Sequence, residues 1–218
     1  MRSATRIVVS AMGVIMGLAG IEHGVGEILQ GNIAPEGIVI ASWPDSAFFR
    51  IVAGEPAMTI IPNLLITGIL AVLVSLIVLA WVTLFVHKKR GGAILILWST
   101  ILLLVGGGFG PPLLGIILGT AATGINAPMA WWRTRLPGGI RRFFGKLWRW
   151  SLGACLITWL MLFPGSAVLA HFSGLDDPGF MSVLSLFAFG FLLLAILTAL
   201  GYDTQRQVDL RQESLASG

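Results

Sequence analysis

Residues 64–86 run for 23 positions without one ionisable side chain, and residues 179–202 run for 24 with only Tyr202 as an exception. About 20 apolar residues in helical form cross the hydrocarbon core of a bilayer, because every backbone polar group is then paired within the helix. Both runs are long enough. Charged residues make up only 11% of the chain, against about 25% in soluble domains, so the expectation extends beyond the two runs. The pattern predicts an all-α integral membrane protein, a single polytopic domain with about six spans. They lie near residues 6–30, 57–86, 92–107, 112–127, 150–170 and 179–202.

The third and fourth spans are short, and "GGGFGPP" (106–112) separates them. Glycines followed by two prolines do not continue a helix, since glycine costs backbone entropy and proline lacks a donor. The break is either a tight turn between two spans or the tip of a re-entrant hairpin, where irregular backbone must be buried in protein or face water.

Charge sets an expected orientation. Arg2 and Arg6, the run 87–90, the cluster from Arg133 to Arg149, and Arg206 with Arg211 fall on one side of the six-span arrangement. That side collects 13 of the 14 Lys and Arg residues; Arg50 alone lies opposite, among Glu22, Glu27, Glu36, Asp45, Glu55, Asp176 and Asp177. The positive-inside rule then puts both termini in the cytoplasm of a plasma membrane, bacterial inner membrane being the expected type. A single span over 92–127 would place the Arg133–Arg149 cluster outside, so an even number of crossings there is preferred. The net charge of +4 follows this sidedness and gives no reason to expect nucleic acid as a partner. Arg2 and Arg6 ahead of an apolar run, with Gly17 and Ala19 beyond, resemble a signal peptide. The glycine-rich run continues unbroken into a polar motif, which favours an uncleaved first helix.

Two short interfacial helices complete the expected architecture. In "IRRFFGKLWRW" (140–150), Arg141, Arg142, Lys146 and Arg149 share one helical face, and Ile140, Phe143, Phe144, Leu147 and Trp148 the other. Residues 139–149 are expected to lie on the bilayer, the basic face drawing anionic lipid headgroups. In the loop 31–56, Ser42 and Pro44 look like the start of a helix over 43–53, with Trp43, Phe48 and Phe49 at the interface.

The polar motif is "IEHGVGEILQGN" (21–32). On a helix His23 and Glu27 are neighbours, four residues apart, while Glu22 points about 100° away. Gly13, Gly17, Gly20 and Gly24 form a seam that lets a second helix approach closely. His23 and Glu27 border the seam and are expected to face the bundle interior. Glu22 should turn to lipid or to another helix. Counted from Arg6, Glu22 lies about 24 Å along the helix, toward the outer end of a ~30 Å core. Thr59, Asn63 and Thr67 form an expected polar stripe on the second span, Pro62 an expected kink, and Glu55 an expected cap before Pro56.

These groups converge on the outer end of the bundle. The candidate ligand or ion pocket is therefore His23, Glu27, Asn63, Glu55 and Glu22, with backbone carbonyls from the glycine break. His23 and Glu27 with His171 form a candidate zinc set that would activate water. Cys155, the only cysteine, excludes an intramolecular disulfide and a multi-cysteine metal site. No phosphate-binding loop, dinucleotide fingerprint or nucleophile elbow is present, which leans against an enzyme and leaves any cofactor unknown.

Three function classes follow. The first binds or passes a small solute or ion through an outward-facing vestibule. The second is a non-catalytic subunit of a larger membrane complex, or a homo-oligomer, packing through its glycine seams. The third is a membrane enzyme, metal-dependent in one version, with an outer-face site.

Overall fold

The computed structural model describes residues 3–125, 135, 137–174 and 177–216. Arg2, Arg133 and Asp176, and residues 126–127 at the end of the fourth expected span, lie outside them. Helix α1 (Ala4–Gln30) is 27 residues long, about 40 Å. Its start is capped by Ser3, whose Oγ accepts from the Arg6 amide, and its end by Gly31 at φ 89°.

The chain then forms a two-stranded antiparallel ribbon, β1 (Val39–Ala41) against β2 (Pro56–Met58). Two more backbone bonds extend it toward its loop, Ser42 N–H to Glu55 O at 3.0 Å and Trp43 N–H to Gly54 O at 2.8 Å. That pairing uses the backbone an α-helix over 43–53 would need. The expected surface helix is reduced to a single 3-10 turn, Arg50–Val52.

Helix α2 (Leu64–Ala80) begins seven residues later than expected, because β2 occupies the start of the predicted span. Asn63 is its N-cap and accepts from the Ile66 amide at 3.0 Å. Pro62 therefore precedes the helix and kinks nothing. Thr59 also lies before it, and only its hydroxyl meets the helix, 2.9 Å from that of Thr67. A π-turn, Trp81–Phe85, carries the helix onward.

The glycine seam of α1 seats this second helix. A Cβ at Gly13 would strike Val82, at Gly17 Leu79, at Gly20 Ser75 and at Gly24 the carbonyl of Gly68. Close backbone approach of this kind favours helix association where lipid leaves no hydrophobic drive between helices.

Helices α3 (Gly91–Leu104) and α4 (Gly110–Ala122) form an antiparallel hairpin, with Gly92 packed against Gly119 and Thr123 at its base. Fourteen and thirteen residues give arms of about 20 Å, short of the ~30 Å hydrocarbon core. The tip, residues 105–109, is tied to the ribbon: Gly106 N–H donates to Met58 O at 2.9 Å and Ile60 N–H to Leu104 O at 3.0 Å. The glycine–proline break is thus a buried hairpin tip, held to the ribbon by backbone bonds.

Helix α5 (Gly138–Leu160) is continuous through the expected surface helix. The basic residues Arg141, Arg142, Lys146 and Arg149 belong to its first half. Part of the opposite face is taken by protein: Phe144 packs on Gly201, and the Trp148 ring lies 5.5 Å from Tyr202. Phe143 remains exposed. A π-turn (Met161–Gly165) leads to α6 (Ser166–Ser173), and α7 (Pro178–Ala216) runs 39 residues, past the expected end at 202.

Among the described residues four helical stretches are long and apolar enough to cross a membrane: Ala4–Gln30, Leu64–Phe85, Gly138–Ser173 and Gly179–Leu215. The fold is all-α and of membrane type. Its core is apolar side chains that never meet the surface, among them Met12, Met16, Leu102, Leu114, Leu118 and Leu192.

Candidate functional site

Where the ribbon closes over the end of α1, the molecule buries acidic side chains beside an imidazole. Glu27 is 0% exposed, and His23 and Glu55 are each 6% exposed. Ionisable groups are rarely buried so deeply unless something pairs with them.

Ser42 is the hinge of the cluster. Its Oγ lies 2.9 Å from His23 Nδ1 and 3.3 Å from Glu27 Oε1. The ribbon places it there, and Gln30, one turn beyond Glu27, anchors the ribbon by donating to Ala41 O (3.0 Å) and Ser42 O (2.9 Å). The expected role of Ser42 is a helix cap. Its hydroxyl instead joins two residues of α1, because Ser42 continues the β1 strand. A serine read with that strand, rather than with the residues after it, would have given the signal.

Glu55 reaches the same point from the other strand. Its Oε2 faces His23 Nε2 at 3.4 Å. The expected cap role is replaced by this contact, and the backbone is unusual in achieving it: Glu55 has φ 56°, a left-handed conformation costing a non-glycine residue about 1–2 kcal/mol. Such strain clusters at functional sites. Burial, and next the neighbouring Glu22 carboxyl, push the Glu55 carboxyl up to about 10.

Glu22 does not turn to lipid. It is half-buried, accepts from the Trp43 indole N–H, and stands beside Glu55. Trp43, expected at the bilayer interface, thus belongs to the site.

The hairpin tip closes the far side. Gly106 (φ 91°) lies against the Glu27 carboxylate and Thr67, and Gly108 (φ 77°) against His23 Nε2; a Cβ at either would collide with those side chains. Carbonyls are the expected contribution of this break. What its glycines supply is room.

Two expected members stand elsewhere. Asn63 caps α2 and bonds to Asn32, away from the cluster. His171 is exposed and packs its ring on Phe48, with centroids 5.8 Å apart, so it does not complete a set with His23 and Glu27. The grouping with metal-ligand spacing among the described residues is Glu22, His23 and Glu55, whose ligand atoms all lie within 4.8 Å of one another.

A cleft of about 190 Å³ opens beside the cluster. His23 and Glu55 are its ionisable lining; its walls are apolar, from α1 (Ile15, Met16, Ala19), α4 (Leu114), α5 (Trp159) and α7 (Met181). No protein-family model matches the chain, and neither a curated protein nor a solved structure matches it.

Proposed function

We propose that this membrane protein binds a small amphiphilic ligand in the cleft at the ribbon end of the bundle. The polar head meets Glu55 and His23, and the apolar body lies along Ile15, Ala19 and Met181. The observation that carries the reading is the lining of the site: an apolar cleft whose two ionisable residues, His23 and Glu55, approach to 3.4 Å. Ligand sites are commonly mostly apolar with a few convergent polar groups that fix orientation.

Binding is favoured over passage. Between the cluster and the opposite end, the interior is filled by Met12, Met16, Leu102, Leu114 and Leu118, all fully buried. An apolar plug of this kind offers a hydrated ion nothing to replace its water. The distribution of basic residues supports an outward-facing site in a plasma membrane, with both termini cytoplasmic.

The test is contact quenching of Trp159 fluorescence in vesicles by a brominated long-chain alcohol. Binding in the cleft adds a saturable component to the linear quenching caused by partition into the bilayer. Ala19→Phe, which fills the cleft, should abolish the saturable part. Identical quenching curves for the two proteins would sink the reading.

A further inference from the structure

We propose that Glu22, His23 and Glu55 form a binding site for a divalent transition-metal ion of the zinc type, with a fourth coordination position open to the cleft. Metal binding needs only these three side chains. The assignment of the open position alone rests on the cleft reading.

Zinc bonds of about 2.0–2.2 Å to imidazole nitrogen and carboxylate oxygen, at tetrahedral angles, set neighbouring ligand atoms about 3.3–3.6 Å apart. His23 Nε2 and Glu55 Oε2 are 3.4 Å apart. The Glu22 oxygen falls within 4.8 Å of both, so a rotamer adjustment of this half-buried side chain completes the set.

Ser42 has one hydroxyl proton. In the tautomer with the proton on Nδ1, His23 donates to the Ser42 oxygen while the Ser42 hydroxyl donates on to Glu27 Oε1. The bare Nε2 lone pair then faces the Glu55 carboxyl. Two acceptors at that distance need a proton or a cation between them. One proton serves at most two of these three acceptors, and Oε2 of Glu22 and Oε2 of Glu55 are both buried without a hydrogen-bond partner among the described residues. A divalent ion satisfies both and the imidazole at once. Orphaned buried acceptors of this kind call for an ion or a water.

The surroundings fit the same occupant. Metal-bound histidines commonly donate their second N–H to a fixed acceptor, the role Ser42 plays here, with Glu27 behind it. Gly108 packs against the imidazole near Nε2, where any Cβ would collide with the ring. Two carboxylates and one imidazole suit zinc and its neighbours in the first transition row.

The experiment uses the purified full-length chain, stripped with chelator and titrated with Co²⁺ and then Zn²⁺. We expect one ion per chain and the intense visible bands of four-coordinate cobalt, bleached by zinc. Glu22→Gln should weaken binding at least 10-fold while keeping the Trp43 bond through the amide oxygen. Glu55→Gln should do the same, and His171→Ala should leave binding unchanged. If Glu55→Gln does not fold, Glu22→Gln and the wild-type cobalt spectrum still decide. A wild-type protein that binds neither ion, or affinity indifferent to Glu22→Gln, overturns the proposal. Ala19→Phe should keep the metal while losing the quenching by brominated alcohol, so the two readings fail separately.

Discussion

The carboxylate of Asp203 caps helix α1 at Ala4. Its two oxygens accept from the backbone N–H groups of Ala4 and Thr5 at 2.8 and 2.9 Å, joining residues 199 and 198 positions apart in the chain. The first turn of a helix has amides with no partner of their own and carries the positive end of the helix dipole, so a buried carboxylate there is well placed. The bond also fastens the last long helix to the first.

Asp203→Ala should therefore destabilise the protein by about 1–3 kcal/mol, since it strands two buried amides. Asp203→Asn, which keeps one acceptor, should cost less. Thermal unfolding in a mild detergent, followed by intrinsic fluorescence, gives the order; equal melting of wild type and Asp203→Ala would show that the cap contributes nothing.

The glycine seam offers a sharper contrast. Gly24 and Gly68 approach each other's carbonyls, and Gly68 also meets the Ile28 amide. Gly68→Val should force α1 and α2 apart, an overpacking cost of about 1–3 kcal/mol or more. Gly190, in α7, has open space where a Cβ would stand, with nothing within 4 Å. Gly190→Ala should be neutral or stabilising by up to about 1 kcal/mol. Comparing the yield of monodisperse protein and its melting temperature tests the pair.

That seam is legible in the sequence, as is the inward face of α1 carrying His23 and Glu27. Helical period and residue size decide both, and both are local. The ribbon is not legible: three-residue strands leave no periodic signal, and Ser42, Pro44 and Asp45 resemble a helix start as readily as a turn. Without the ribbon, Ser42, Trp43 and the left-handed Glu55 are misassigned together, because each acts through the strand register. Asn63 and Thr59 fall on an expected helix for the same reason. His171 shares only a predicted depth with the cluster, and depth carries no information about which side of a bundle a residue occupies.

Stability of the metal-free protein should fall as pH rises. The Glu55 carboxyl keeps its proton in the fold to about pH 10, whereas its ordinary value is 4.5. A raised carboxyl favours the folded state fully below the ordinary value, and that contribution is lost as pH climbs toward the folded one. Melting temperatures between pH 5 and pH 9 should therefore decline, and Glu55→Gln, which cannot ionise, should flatten the decline. An unchanged slope in that variant would place the dependence elsewhere.

Ser42 gives the last prediction, because it touches the proposed ion only through His23. Ser42→Ala removes the acceptor for Nδ1 and the donor to Glu27 while leaving all three ligands in place. The imidazole is then free to rotate or to move its proton to Nε2, the nitrogen that must stay bare for coordination. Loss of such a supporting partner typically weakens metal binding by about 10–100-fold. The expected result is one cobalt ion per chain as before, with lower affinity and the same visible bands at saturation. A substitution that merely loosened the ribbon would lower the melting temperature without moving affinity in the still-folded protein. Unchanged affinity would leave Ser42 a structural link between ribbon and helix. A change in the visible bands at saturation would show that the hydroxyl itself is a ligand.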